Sequence, residues 1–172
     1  YRIQGGLADL LAGWHGGAKV TGYALGPTTF PSLYHLLGLD QLVNSVMGNI
    51  CDPVTLRAAL ERTRPEVVLH LAAQSIVFNG YRAPAETFET NVMGVVHLLD
   101  VCRHLQGNIP VLIISSDKCY RNNDEGYAFR VNDPLGGHDP YSASKAGTEI
   151  VVGAYGASYF KDAAGPVLAS AR

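Results

Sequence analysis

The chain has 172 residues, a formal net charge of −2 and 47% hydrophobic residues, which suits one domain with a buried core. The charge is nearly balanced and no basic run occurs, so the composition argues against nucleic-acid binding. No apolar stretch reaches membrane-spanning length and no signal peptide is recognised, so we expect a cytoplasmic protein without membrane contact. Three separated cysteines and six scattered histidines predict neither a disulfide framework nor a metal site.

Strand-like and helix-like segments alternate along the chain, which is typical of a parallel sheet with helical crossovers. In chain order we predict strands at 19–25, within 43–50, and at 66–73, 111–115 and 167–170. Helices are predicted as a short amphipathic piece at 33–39, from Asp52-Pro53 to before Pro65, at 84–105, and from Asp139-Pro140 to about 160. In each Asp-Pro pair the carboxylate can cap the helix and proline has no N–H to leave unpaired. The fold class is therefore α/β with a doubly wound parallel sheet.

Tyr141 and Lys145 are four residues apart in the first turns of the last predicted helix, so they lie on one face. A phenol with a reference pKa of ~10 is a poor base, but a nearby ammonium and the helix dipole favour its phenolate. Tyr141 could therefore accept a proton from a substrate hydroxyl. A Tyr-x-x-x-Lys pattern also occurs by chance in helices. Its context here is the strand at 111–115, which runs into Ser116-Asp117-Lys118, and strand ends of this kind bind ligands.

Four segments together resemble the extended short-chain dehydrogenase/reductase family: HLAAQ at 70–74, TNVMG at 90–94, SSDKCY at 115–120 and DPYSASK at 139–145. Within that family the chain is most similar to the CDP-glucose 4,6-dehydratases. They carry Asp-Lys followed by Cys-Tyr where the dTDP-glucose enzymes carry Asp-Glu, and this chain has Asp117-Lys118. The resemblance implies a Rossmann-like, NAD-dependent lyase that converts CDP-glucose to CDP-4-keto-6-deoxy-glucose in polysaccharide biosynthesis.

The resemblance also implies catalytic roles. Tyr141 would accept the 4-hydroxyl proton while hydride leaves C4 for NAD, and Lys145 would bind the nicotinamide ribose. Ser116 would hydrogen-bond the sugar oxygen at C4. Asp117 would protonate the departing 6-hydroxyl, with Lys118 near the group that handles the C5 proton. An aspartate with a reference pKa of ~3.9 needs burial to donate at neutral pH, and an adjacent lysine acts in the opposite direction.

Further residues are implied for binding, and a homodimer is implied through the helix at 84–105 and the Tyr141 helix. The cofactor-binding set is Asn49, Ile50, Leu71, Ala72, Ala73, Asn91, Ser115, Tyr141 and Lys145. The substrate-binding set is Gln74, Ser116 and Arg172. His70 lies within an apolar strand, so we interpret it as a core histidine.

The sequence departs from the family pattern at the glycine-rich loop that binds the dinucleotide pyrophosphate, because no G-x-x-G-x-x-G motif follows a first strand. We therefore expect residues 1–172 to form an incomplete NAD(P)-binding domain. We expect either that its first strand and glycine loop are truncated or that its cofactor site is degraded, and we expect the C-terminal substrate domain to be absent. Asn49 stands where relatives have Asp, and Phe78 where they tend to have Arg. The choice of NAD over NADP rests on the family.

Two alternatives stay open. An NDP-sugar epimerase or ketoreductase would share Tyr141 and Lys145, although epimerisation at C4 needs no acid at Asp117. A non-catalytic Rossmann-like module for nucleotide binding or oligomerisation would explain the missing glycines, but not the complete set of Ser116, Asp117, Tyr141 and Lys145.

Overall fold

The computed structural model describes residues 20–24, 43–124, 126–161 and 167–172, with the main chain alone at 20–24 and 43–47. β1 (Val20–Ala24) and β2 (Val43–Met47) form a two-stranded parallel sheet. β3 (Val68–His70), β4 (Val111–Ile114) and β5 (Leu168–Ala171) form a second parallel sheet with β4 in the centre. The predicted parallel α/β class is confirmed. The predicted single doubly wound sheet is seen only in part, because the described strands lie in two sheets.

The helices alternate with these strands. They are α1 (Pro53–Thr63), α2 (Val77–Arg82), α3 (Pro84–Phe88), a π-helical turn (Glu89–Met93), α4 (Gly94–Cys102), a 3-10 turn (Asp117–Cys119) and α5 (Pro140–Tyr159). Asp52 and Asp139 accept the backbone N–H groups of Val54 and Ser142 at 3.0 Å, so both predicted helix starts are confirmed. The segment at 33–39 lies outside the described residues. None of the described helices is long and apolar enough to cross a membrane.

The sequence prediction for the segment from 77 to 105 is confirmed in part, because residues 84–102 are helical throughout. The short helix α2 was not predicted, and the predicted single helix at 84–105 is interrupted by the π-helical turn. In that turn the Gly94 N–H donates to the Glu89 carbonyl, five residues back. The Asn91 carbonyl accepts the Thr148 hydroxyl of α5 at 2.8 Å. The wider turn thus coincides with a tertiary hydrogen bond that local sequence does not show.

The main hydrophobic core joins the three-stranded sheet to α1, α4 and α5. Two glycines allow close contact around α4: a Cβ on Gly94 would lie 3.0 Å from Ile50, and one on Gly147 would lie 3.1 Å from Val92. The buried core residues are Ile50, Leu56, Val68, Val95, Leu98, Leu99, Val101, Cys102, Val111, Ile113 and Val152. This core fixes α5, which carries Tyr141 and Lys145, against the carboxyl ends of β4 and β5.

Candidate active site

The candidate site lies at the carboxyl edge of the three-stranded sheet. Because β3, β4 and β5 are parallel, the segments that follow them meet at the same edge. Leu71 to Gln74 follow β3, Ser115 to Asp117 follow β4, and Arg172 follows β5. The first turns of α5 pack against the 3-10 turn that begins at Asp117. The fold therefore brings these sequence-distant segments to one place.

Tyr141 and Lys145 lie on the same buried face of α5. Tyr141 is 8% exposed and Lys145 5% exposed, and the Lys145 Nζ atom lies 6.0 Å from the centre of the Tyr141 ring. The structure thus brings together, on one buried helix face, the two side chains that the sequence predicts as a pair.

Two glycines let other segments approach the Tyr141 turn. A Cβ on Gly137 would lie 2.2 Å from the Ser142 Cβ, so no other residue fits there without a backbone shift. A Cβ on Gly80 of α2 would lie 3.2 Å from the Tyr141 nitrogen. The chain leading into α5 and helix α2 thus pack directly on the turn that presents Tyr141.

Charged and titratable groups surround Lys145 and affect its pKa. Burial lowers its pKa, while the nearby Cys119 and Glu149 act to raise it. Burial, together with the smaller effect of the Lys145 charge, lowers the pKa of His70 to about 4. His70 is 5% exposed, which agrees with its interpretation as a core histidine. It is neutral at physiological pH and lies close enough to Lys145 to feel its charge.

Ser116, Asp117 and Lys118 form a small self-capped turn. The Ser116 hydroxyl accepts the Lys118 N–H at 3.2 Å and donates to the Asp117 carboxylate at 3.0 Å. Asp117 and Lys118 are exposed. The pKa of Asp139 lies below its usual value, because hydrogen bonds from Ser142 and the Lys118 charge outweigh the effect of burial. Lys118 therefore faces the capped start of α5.

Asn91 is the hydrogen-bonding centre of the site. Its side chain is 2% exposed. It accepts the Gln74 N–H at 2.7 Å and donates to the Gln74 carbonyl at 3.0 Å and to the Ser144 hydroxyl at 2.8 Å. The Gln74 side chain donates to Thr87 at 2.9 Å. Asn91 thus ties the loop after β3 to α5, and both of its amide hydrogens are used inside the protein.

The remaining residues predicted for cofactor binding occupy different environments. Asn49 is exposed and its side-chain oxygen accepts the Cys51 N–H at 2.9 Å, while Ile50 is buried in the core. Leu71 is exposed and Ala72 and Ala73 are half-buried. The Ser115 hydroxyl is buried and has no hydrogen-bond partner among the described residues. Their roles toward a cofactor stay predictions.

Several site residues were not found from the sequence. Thr87, Ser144 and Thr148 are almost fully buried and complete the Asn91 network. Glu149 binds Arg172, with 2.7 Å between the guanidinium nitrogen and the carboxylate oxygen. The spacing of Tyr141, Lys145 and Glu149 at four-residue steps was the available signal, because it puts all three on one helix face. Among the described residues, no group of His, Cys, Asp and Glu is placed to hold a metal ion.

Comparison with known proteins gives a consistent set of relatives. The family model for GDP-mannose 4,6 dehydratase matches residues 26–164. The chain is 45% identical over 148 residues to the CDP-glucose 4,6-dehydratase of Salmonella typhimurium, covering 86% of this chain and 41% of that protein. It is 30% identical over 122 residues to the dTDP-D-glucose 4,6-dehydratase of Dictyostelium discoideum, covering 65% of this chain and 28% of that protein.

Solved structures show the same fold. A dTDP-glucose 4,6-dehydratase from Streptomyces venezuelae, solved with NAD bound, superposes with a TM-score of 0.78 at 27% identity, covering 91% of this chain and 49% of that one. A UDP-glucose 4-epimerase from Brucella ovis in complex with NAD gives 0.71 at 27% identity, covering 89% and 44%. The chain thus spans about half the length of these two structures and less than half the length of the two curated relatives.

The buried state of His70 predicts a pH-dependent loss of stability. Its pKa is near 6.5 when unfolded and about 4 when folded, so the unfolded state binds the extra proton between these values. The free energy of unfolding contributed by the neutral histidine is fully present above pH ~6.5 and falls as the pH drops toward ~4, by up to about 3 kcal/mol.

Urea unfolding across this range should show the free energy of unfolding decreasing with falling pH, and His70→Gln should flatten this pH dependence. His104→Gln, a change at an exposed histidine, should leave it unchanged. An equal slope in His70→Gln would contradict the assignment.

Proposed function

The chain belongs to the GDP-mannose 4,6 dehydratase family, and from this premise we propose that the protein is a sugar-nucleotide 4,6-dehydratase acting on CDP-glucose. One observation carries the proposal: the Asp117-Lys118 turn packs against the helix that presents Tyr141 and Lys145. The Salmonella typhimurium CDP-glucose 4,6-dehydratase, at 45% identity, supports the choice of nucleotide.

NAD is the proposed cofactor, and the described residues fit its nicotinamide end. The carboxyl edge of a parallel sheet is where dinucleotides bind. At that edge the small residues Ala72 and Ala73 follow β3, and Lys145 lies beside Tyr141. Lys145 would hold the nicotinamide ribose and Ala72 and Ala73 would allow the cofactor to approach the sheet. NAD, when bound, supplies the acceptor for the hydride from C4 and later returns it to C6.

The protein's own groups would carry the proton transfers. Tyr141 accepts the proton of the 4-hydroxyl, and the Lys145 ammonium stabilises the phenolate that does so. The C4 ketone acidifies the hydrogen at C5. The C5 hydrogen would leave as a proton to a base near Lys118, and Asp117 would protonate the departing 6-hydroxyl, so that water leaves across C5 and C6. The same base would return the proton to C5 when hydride is delivered to C6. The Ser116 hydroxyl donates to the Asp117 carboxylate at 3.0 Å and so orients it. Asp117 is exposed, in contrast to the burial expected of this acid, so the bound substrate would have to supply that burial.

The epimerase alternative shares the fold, so the overall architecture does not distinguish the two reactions. The distinguishing feature is the turn at Asp117-Lys118, because an elimination needs an acid at the leaving hydroxyl and a C4 epimerisation does not. The non-catalytic alternative is disfavoured by the buried Tyr141–Lys145 pair, since burying an ammonium costs free energy.

Substitutions at Tyr141 and Asp117 should stop the reaction at different steps. With CDP-glucose carrying deuterium at C4, the wild-type reaction should deliver the deuterium to C6 of a 4-keto-6-deoxy product, as measured by mass spectrometry. Tyr141→Phe should slow loss of deuterium from C4 by roughly a hundredfold or more, because the general base is gone. Asp117→Asn should still release deuterium from C4 but should accumulate reduced nicotinamide instead of product.

Two matched changes serve as controls for these variants. Tyr159→Phe and Asp100→Asn alter residues at the far ends of α5 and α4, and both should keep normal turnover. Unchanged turnover in Tyr141→Phe would disprove the mechanism. Full activity in Asp117→Asn would remove Asp117 as the elimination acid.

We also propose that the protein is a homodimer through the helices at 84–102 and α5. Large apolar side chains are exposed on both: Phe88 and Met93 are each 41% exposed, and Ile150 is 63% exposed. Ile150→Glu should convert dimers to monomers, as measured by light scattering after size exclusion, because it places a charge in the apolar contact. Val54→Glu, at a 75% exposed position on α1, should leave the dimer intact. A dimeric Ile150→Glu protein would contradict this interface.

A further inference from the structure

A partly buried ion pair joins Arg172, which directly follows β5, to Glu149 of α5. The Glu149 side chain is 2% exposed and the Arg172 side chain 22% exposed, with 2.7 Å between the guanidinium nitrogen and the carboxylate oxygen. The same carboxylate oxygen accepts the Ser170 hydroxyl at 3.0 Å. Glu149 is two turns along α5 from Tyr141 and one turn from Lys145, on the same face. The ion pair therefore lies on the same face of α5 as the proposed base, two turns farther along the helix.

The other side of the Arg172 guanidinium holds the segment that carries Asp117. A second guanidinium nitrogen donates to the Tyr120 hydroxyl and to the Val131 carbonyl, both at 2.8 Å. Tyr120 directly follows the 3-10 turn of Asp117–Cys119, and its N–H donates to the Asp117 carbonyl at 3.2 Å. Its ring stacks on Phe129 with 5.0 Å between the ring centres. Arg172 thus connects the Asp117 turn, the 121–134 loop and α5.

The loop between the turn and α5 is closed at its base. Tyr120 and Leu135 form an antiparallel bridge, and the Gly136 N–H donates to the Cys119 carbonyl at 2.9 Å. Gly137 then packs on Ser142 in the first turn of α5. Arg172 is therefore one polar contact between the base of this loop, next to Asp117, and the helix that holds Tyr141.

We propose that Glu149 and Arg172 are positioning residues, which hold the Asp117-Lys118 turn at a fixed position relative to Tyr141 and Lys145. This inference rests on the proposed function for its catalytic meaning. It also gives Arg172 a different role from the substrate binding that its sequence position predicts, because its donors are engaged with Glu149, Tyr120 and Val131.

The reactivity of Cys119 provides a test that does not depend on enzymatic activity. Cys119 belongs to the 3-10 turn and is 0% exposed, whereas Cys102 is buried in the core on α4. In Arg172→Gln, alkylation of Cys119 by iodoacetamide, measured by peptide mass spectrometry, should accelerate by at least about tenfold while Cys102 is unchanged. The Arg172 charge acts to lower the pKa of Cys119. Its loss alone would therefore slow alkylation, and faster labelling reports opening of the turn.

A second variant and a control make the result specific. Tyr120→Phe keeps the Glu149–Arg172 pair and the ring stack but removes the hydroxyl link, so it should also accelerate Cys119 labelling with Cys102 unchanged. Arg82→Gln removes an exposed guanidinium that lies 4.5 Å from the Phe78 ring centre, and it should change neither cysteine. Equal acceleration of Cys119 and Cys102 in Arg172→Gln would show a general stability effect, and unchanged Cys119 labelling in both variants would show no positioning. Either result would overturn the inference.

The effect of Arg172 on catalysis is measured in a separate experiment. In the deuterium assay, Arg172→Lys should slow product formation more than release of deuterium from C4, because the misplaced group is Asp117 and not Tyr141. Equal slowing of both steps would argue against a role in the elimination. An inactive wild-type protein that still shows selective Cys119 labelling would count against the proposed function and leave the positioning of the turn standing.

Discussion

The hydrogen bonds of the Asn91 side chain are the interaction on which the site geometry depends. A single buried amide joins the main chain of Gln74, after β3, to the Ser144 hydroxyl on α5. Each such bond contributes only about 1 kcal/mol net, but an unpaired buried amide costs ~1–3 kcal/mol. Because three partners converge on one amide, the loop cannot move away from α5 without leaving several buried groups unsatisfied.

The irregular turn before α4 lies where this network reaches α5. Thr148, on the turn of α5 that follows Ser144, donates to the Asn91 carbonyl at 2.8 Å. The π-helical turn at Glu89–Met93 surrounds that carbonyl. Irregular turns of this kind occur often at functional sites. Here the turn presents both the side chain and the carbonyl of Asn91 to its partners at once.

Burial also determines the electrostatics of Lys145. An ammonium that is 5% exposed loses hydration, which lowers its pKa, and the nearby Glu149 acts in the opposite direction. Arg172 neutralises Glu149 from the other side. The charges of Lys145, Glu149 and Arg172 thus alternate in sign. These side chains link the helix that carries Tyr141 to the Asp117 turn.

Much of the fold was predictable from local patterns. The Asp-Pro starts of α1 and α5, the apolar strand at 111–115 and the face shared by Tyr141 and Lys145 all depend on neighbouring residues. The π-helical turn was not, because it is accompanied by contacts with Thr148, more than fifty residues away. Helix α2 is six residues long and lacks a clear apolar period. The Glu149–Arg172 pair joins residues that only the packing of β5 against α5 brings together.

The most direct measurement is a thermal-unfolding titration of the protein with NAD, in wild type and in Lys145→Met. A ligand at 100 times its dissociation constant stabilises the folded state by about 2.7 kcal/mol. The unfolding midpoint of the wild type should therefore rise to saturation, and Lys145→Met should need a much higher NAD concentration for the same rise, because the ribose contact is lost. A wild-type midpoint that does not respond to NAD, or an identical response in both proteins, would contradict a nicotinamide site at Tyr141 and Lys145.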